Sequence, residues 1–349
     1  MLDSPILILV YEPERACQAR LAAEGYTPDR AAEISSYLAQ STDIAAELEP
    51  IARECKQRGI GFVPLALDDL PRLITAYGQN VLVWTMTDGI AYFRGGAAPA
   101  LARLEGLSVL GSDDSLFALC QDKFRSGAVL RAHGMPTPEA GLARDGNWIA
   151  PPPTTENGWF VKPNRLGAKI GIWPDSHCRT PEEALDISRR IHSYYRDDAI
   201  VQRYVAGRNV RASFLAVEPD SGPKAVGAVF VDSGGDFQTM ADSLALHGDT
   251  GSAARADGRY VEPELVSVAS RQPGADAAIR TICGQLMEHL GLRDVFSADF
   301  RVEADDSVHL LEFEVCPGLP CFDFRDYCRR QWDLSLAEAI AETAARRLS

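Results

Sequence analysis

FSADFRVEADDSVHLLEFEVCPG, residues 296–318, reads as two apolar strands joined by the turn Glu303-Ala304-Asp305-Asp306-Ser307. The first strand carries Asp299 and the second carries Glu312 and Glu314. Strand residues two apart point to the same face, so Glu312 and Glu314 stand side by side. A hairpin turn of this length folds Asp299 back toward them. Three converging carboxylates repel one another unless a cation lies between them. Hard oxygen ligands on a rigid sheet suit Mg²⁺, with Mn²⁺ able to replace it, and Mg²⁺ usually arrives with the phosphates of a nucleotide. A second reading is a hairpin with polar residues on its wet face, since half-exposed antiparallel strands alternate in this way. The hairpin alone leaves both open.

Working upstream, Trp159-Phe-Val-Lys-Pro-Asn-Arg-Leu-Gly-Ala-Lys-Ile-Gly-Ile172 reads as a strand that delivers Lys162 and a loop from Gly167 to Gly171 that returns as a strand. Glycines let backbone N–H groups approach an anion, and Lys162, Lys169 and Arg165 surround the loop. The spacing is neither a GxxxxGK[ST] phosphate loop nor a GxGxxG dinucleotide turn, and a plain basic hairpin is the alternative. Further upstream, the apolar run Pro5–Val10, the segment from Gly61 and the segment from Asn80 read as strands alternating with helices. That alternation over residues 1–115 predicts a doubly wound α/β layer. Ligands bind at the C-terminal ends of such strands, which makes Asp88 and Arg94, in the loop from Thr85 to Gly96, candidate substrate residues. The sequence predicts one helix from Ser115 through Asp122-Lys123 to Leu130, and helices over Pro181–Tyr195, Asp276–Leu290 and Leu334–Leu348. Antiparallel strands are expected at Asn209–Val217 and Lys224–Val231, and the polar segment from Ser233 to Pro263 is the natural place for a lid.

The chain has 349 residues, a formal net charge of −14 and 46% hydrophobic residues. The length accommodates more than one packed layer, and the acidic balance argues against nucleic acid as a partner. The eight cysteines show no zinc or redox spacing, which fits free thiols in a cytoplasmic protein. The start reads as a first strand rather than a signal peptide, and no apolar run is long enough for a membrane span.

In order and spacing, several segments together resemble the ATP-grasp superfamily, most closely its D-alanine–D-alanine ligase-like branch. They are Gly111-Ser112, Asp122-Lys123, Gly134-Met-Pro-Thr-Pro138, Phe160–Gly171, Ile200–Arg208, Ala298–Val302 and Leu311–Gly318. The resemblance covers roughly residues 100–330, and the first hundred residues match in layout only. It implies an ATP-grasp fold, α/β and α+β. Residues 1–115 would be an N-terminal doubly wound parallel-sheet domain, 116–204 a central subdomain with the phosphate loop, and 205–349 a C-terminal subdomain with the metal site. It implies ATP and Mg²⁺ as cofactors. Lys123 and Lys162 would hold phosphates under the loop Gly167, Ala168 and Gly171. Gln202, Tyr204 and Val205 would form the adenine linker, Asn209 would meet the ribose, and Leu311 would floor the base. Asp299, Glu312 and Glu314 fall on the metal ligands.

The chain also departs from that pattern. An arginine that stabilises the oxyanion is replaced by Ser297, so Arg165, Lys169 or Arg301 is expected to substitute if the chemistry is kept. The serine pair of the phosphate loop is Ala168-Lys169, and the serine that holds the second amino acid's carboxylate falls near Asp323. The histidine-glycine loop is replaced by Thr87–Gly96, and the turn after the first strand by Tyr11-Glu-Pro13. The resemblance therefore implies an ADP-forming carbon–nitrogen ligase. It would phosphorylate a carboxylate, or an enol or ketone oxygen, and couple it to an amino-acid amine, as dipeptide ligases and mycosporine-type ligases do. The alternatives are a cell-wall D-alanine–D-alanine ligase and a nucleotide-binding scaffold without turnover. The expected partners are small molecules, an amino acid and its acceptor, with a homodimer as one expected assembly.

Overall fold

The computed structural model describes residues 4–42, 44–73, 80–87, 94–232, 235–239, 241 and 265–349, and for 36–42 and 73 the backbone only. Asp88 and most of the segment expected to form a lid lie outside the described residues.

Three sheets organise the chain. The first contains β1 (Ile6–Tyr11), β2 (Gly61–Ala66), β3 (Val81–Thr85) and β4 (Ser108–Leu110), all parallel, in the order β2-β1-β3-β4. Leu7 to Val10 and Val81 to Trp84 are buried almost completely, as continuous apolar runs in a parallel sheet should be. The second is the antiparallel sheet of β5 (Ala140–Arg144), β6 (Asn147–Ala150), β7 (Trp159–Pro163), β8 (His177–Cys178) and β9 (Ala199–Arg203), ordered β6-β5-β9-β7-β8. The third is the antiparallel sheet of β10 (Arg208–Leu215), β11 (Gly227–Phe230), β12 (Val295–Val302) and β13 (Val308–Glu314), ordered β11-β10-β12-β13. No disulfide forms among the eight cysteines, and among the described residues no helix is long and apolar enough to cross a membrane.

Helix Pro181–Tyr195 follows its sequence signals closely. Thr180 and Glu183 form a reciprocal capping box, Pro181 opens the first turn, and Ala184, Ile187 and Ile191 bury one face against the second sheet while Tyr195 packs with Leu21, Tyr26 and Ile34. Three differences from expectation matter. The helix expected through Asp122 is two helices, Asp114–Gln121 and Lys123–Ala132, because Asp122 is extended and caps the second one through Arg125 N–H (3.0 Å). The loop from Gly167 to Gly171 does not return directly as a strand, and extended pairing resumes only at the short β8. A helix at Phe322–Trp332 was not anticipated. Helix Leu336–Leu348 crosses back to the first sheet, where Ile340 and Ala344 share a core with Leu82, Trp84, Ile51 and Cys55.

The faces of the third sheet explain the site. Val210, Ala212 and Phe214 of β10, and Phe296, Ala298, Phe300 and Val302 of β12, enter one core with helix Pro273–Leu290. Simple alternation turns Asn209, Arg211, Ser213, Ser297, Asp299 and Arg301 to the other side. In β13 the alternation breaks. Asp299 pairs with Glu312 but Phe300 pairs with Leu310, so Leu311 is an extra, bulged residue. The bulge lets Leu310 and Phe313 both enter the core while Leu311, Glu312 and Glu314 line the opposite cleft.

Candidate active site

A cleft of about 300 Å³ opens between the second and third sheets, lined by Lys123, Lys162, Arg165, the 166–170 loop, Asn209, Arg211, Asp299, residues 311–316 and Cys321–Asp323. That volume is at the small end of ligand pockets.

At its centre, one oxygen from each of Asp299, Glu312 and Glu314 lies within 4.8 Å of the other two. Cross-strand pairing sets this, with Glu312 opposite Asp299 and Glu314 opposite Ser297. The donor set of three carboxylates on paired strands suits a hard divalent cation. The acids are already partly balanced by protein cations. Lys162 donates to Glu312 Oε2 at 2.8 Å, and Lys123 Nζ lies 3.8 Å from the same oxygen. Burial works against the charge of Glu312, but Lys162 and Lys123 more than offset it and hold the carboxyl down to about 2. Burial instead pushes Asp299 and Glu314 up, against the pull of Arg211.

Arg211 is the residue that sequence reasoning missed. Its Nε is 2.6 Å from Asp299 Oδ1, and its Nη1 is 3.4 Å from Glu314 Oε2 and 3.5 Å from Ser297 Oγ. Ser297 donates to Glu314 Oε2 at 3.1 Å. A guanidinium thus reaches across from β10, where Arg211 sits opposite Asp299, to the place beside Ser297. Burial opposes its charge, but Asp299 and Glu314 prevail and hold it cationic. The available signal was alternation, because Arg211 shares a face with Asn209.

Asn164, just beyond β7, ties the strand that carries Lys162 to the start of the helix that carries Lys123. Its carbonyl accepts from Lys123 N–H (3.1 Å), its Oδ1 from Phe124 N–H (2.8 Å), and its Nδ2 donates to Asp122 (3.0 Å), while Lys123 Nζ donates to the Leu166 carbonyl (2.9 Å). The stem of the loop rests on Asp197, which accepts from Arg165 N–H at 2.7 Å and Asp198 N–H at 2.8 Å. Burial raises the Asp197 carboxyl from 3.8 to about 6 despite those bonds. A carboxyl raised on folding gives stability that is full below its unfolded value and lost as pH rises through its folded value. Asp197→Asn should therefore gain on the wild type by about 2 to 3 kcal/mol between pH 4 and pH 7, read as the difference between urea-unfolding free energies at each pH.

The turn is made without a left-handed first glycine. Ala168 (φ 50°) and Lys169 (φ 62°) take the left-handed conformation, closed by Ile170 N–H to the Gly167 carbonyl at 3.0 Å, while Gly167 does not. Positive φ at two adjacent non-glycine residues is strained, as backbone at functional sites often is. The strain is opposed by packing, since Leu166, Ile170 and Trp173 seat against Cys17, Leu21, Tyr26 and Ile34 of the N-terminal helices. Gly171 (φ 70°) is a packing glycine, and a Cβ there would lie 2.6 Å from Pro163 Cγ. Gly171→Ala is expected to lose roughly 2–4 kcal/mol of stability from left-handed strain and overpacking, measured by urea unfolding. Burial and the neighbouring Arg211 lower the affinity of Lys169 for its proton.

The remaining candidates are scattered. Arg301 is 5% exposed and lies away from the acids. It donates to the Val205 carbonyl (3.0 Å), Asn209 Oδ1 (2.9 Å) and the Asp236 carbonyl (2.7 Å), so it braces the linker. Tyr204 stacks on His177 at 3.6 Å and bonds Asp236, and Gln202 is buried in β9. Neither Gln202, Tyr204 nor Val205 lines the cleft, whereas Asn209 and Leu311 do. Arg94 pairs with Asp68, with Glu12 at 3.8 Å, outside the cleft lining.

No protein-family model matches the chain. A D-alanine–D-alanine ligase of a Synechococcus species is 27% identical over 217 residues, which are 61% of this chain and 60% of that relative's length. A D-alanine–D-alanine ligase of Geobacter sulfurreducens is 25% identical over 278 residues, 77% of this chain and 78% of the relative. Among solved structures, the D-alanine–D-alanine ligase of Bacillus anthracis complexed with ATP superimposes with a TM-score of 0.61 at 13% identity, covering 99% of this chain and 97% of that one. A D-cycloserine synthetase superimposes with a TM-score of 0.56 at 16% identity, covering 99% of this chain and all of the other (100%). The chain spans three fifths of the first of these relatives and nearly the full length of both solved folds. With its parallel sheet, its two antiparallel sheets and the cleft between them, the chain has the ATP-grasp fold and is similar in sequence to D-alanine–D-alanine ligases.

Proposed function

We propose that the protein is an ADP-forming ATP-dependent ligase that activates an oxygen of one small molecule by phosphorylation and couples it to an amine. The observation that carries this is the convergence of Lys162 and Lys123 on Glu312, inside a cluster of three carboxylates at the seam of two sheets. Two ammonium groups beside a carboxylate cluster suited to a divalent cation match a nucleotide's terminal phosphates and the metal that accompanies them. In this reading the first domain spans 1–115, the central subdomain 116–204 and the C-terminal subdomain 205–349.

Asp299, Glu312 and Glu314 would hold Mg²⁺, which when bound neutralises charge on the transferred phosphoryl group. Lys123 and Lys162 would grip the phosphates, with Asn164 bonding the start of the Lys123 helix. Asn209 and Leu311 would meet the nucleoside, with the linker Gln202–Val205 behind them. The acceptor oxygen attacks the γ-phosphorus and ADP leaves. Nitrogen then displaces phosphate from the acyl phosphate, losing a proton as the carbon–nitrogen bond forms. The chain contributes positioning and charge stabilisation. Arg211, with Lys169, is the guanidinium poised for the oxyanion in place of an arginine at Ser297, whereas Arg301 is committed to the linker.

A role in specialised metabolism is favoured over D-alanyl-D-alanine synthesis by Asp323 and Ser297 and by Tyr11-Glu12-Pro13 after β1. A D-cycloserine synthetase shares this fold, so the fold also serves products other than a D-alanyl dipeptide. The test is ADP release from ATP and Mg²⁺ while amino acids and small carboxylic acids are offered singly and in pairs. Release with D-alanine alone, yielding the dipeptide, refutes the specialised reading. Nucleotide binding with no release in any pair favours the scaffold.

A further inference from the structure

We propose that Asp323 is the anchor for a cationic nitrogen on the amine-bearing substrate, an inference that rests on the ligase reading and names the charge its second substrate must carry. Asp323 is 9% exposed, lines the cleft, and has no hydrogen bond or ion pair among the described residues. It lies in the first turn of helix Phe322–Trp332, where a negative charge is favoured by the helix dipole. A carboxylate nine-tenths buried with no partner is costly unless something completes it.

Its neighbours do not complete it. Arg211 and Lys169 are near enough to influence one another electrostatically together with Asp323, but the close ion pairs of Arg211 go to Asp299 and Glu314. Cys321 is held as a neutral thiol, pushed up to about 12 by burial and by Asp323 itself. This end of the cleft therefore presents one open carboxylate beside two cations. The complement is a molecule with an ammonium group close to an oxyanion, the ammonium on Asp323 and the oxygen toward Arg211 and Lys169. A substrate carboxylate docked directly on Asp323 would be repelled by it.

The experiment uses two probes of equal length and opposite charge, 1,4-diaminobutane and succinate, titrated calorimetrically into the full chain with and without saturating MgADP. Wild-type protein is expected to bind the diamine more tightly than succinate. Asp323→Asn should weaken the diamine about thirtyfold or more, as loss of one member of a buried charge pair does, while Asp323→Glu keeps it within about fivefold and MgADP binds all three alike. Asp323→Lys should reverse the preference. Equal diamine binding by wild type and Asp323→Asn, no diamine binding, or tighter succinate binding by wild type each overturns the proposal. Failure of the wild type to bind MgADP instead overturns the ligase reading, and the diamine comparison without nucleotide still decides the role of Asp323.

Discussion

Glu312→Gln is expected to cut ADP-forming turnover about a thousandfold or more and to weaken Mn²⁺ binding about a hundredfold. Glu312 is the residue on which the acidic and basic halves of the cleft meet. It faces Asp299 across the strand pair and accepts from Lys162 at 2.8 Å with Lys123 at 3.8 Å. The amide keeps the shape and loses the charge, so the cation site is left with two carboxylates, both raised by burial. A thousandfold corresponds to about 4 kcal/mol of transition-state stabilisation, within the range of one essential electrostatic group. Mn²⁺ binding, followed by the loss of its free-ion paramagnetic resonance signal, separates metal loss from misfolding. Unchanged turnover and Mn²⁺ affinity refute the metal assignment.

Arg211→Gln is expected to lower turnover about a hundredfold to a thousandfold, the usual cost of one oxyanion donor, and to leave Mn²⁺ bound at least as tightly as in the wild type. The two readouts part because Arg211 is itself a cation bound to Asp299 and Glu314. Removing it frees both carboxylates for the metal while stripping the cleft of its guanidinium. The double replacement Arg211→Ser with Ser297→Arg moves the guanidinium to the adjacent strand and should recover at least tenfold of the loss. If Arg211 only neutralises the acids, the relocation gives no recovery and Mn²⁺ affinity alone responds.

Much of this was legible before the chain folded. Apolar continuity marked β1 and β3, the Thr180-Pro181 start and the periodicity of Ile187 and Ile191 marked a helix, and Asp299, Glu312 and Glu314 were close enough along a hairpin to be brought together by it. Arg211 was legible in principle, on the same face as Asn209, but a lone arginine in a strand carries no sign of its partner across the sheet. The fate of Arg301 was not legible, because the same alternation that places Asp299 in the cleft places Arg301 two residues on, against the linker carbonyl of Val205.

The sequence by itself determined that Asp299, Glu312 and Glu314 would share one hairpin and that Lys162 would sit on a strand, since strand period and hairpin length are local properties. Tertiary structure alone decided which cations reach those acids. The bulge at Leu311 aims Glu312 and Glu314 into the cleft while Leu310 stays in the core, and a one-residue change of phase is set by pairing with β12. Lys123 enters because Asp122 breaks a helix and Asn164 binds the new helix start, contacts spanning about forty residues. Arg211 reaches Asp299 across 88 residues of chain, where no local pattern records the distance.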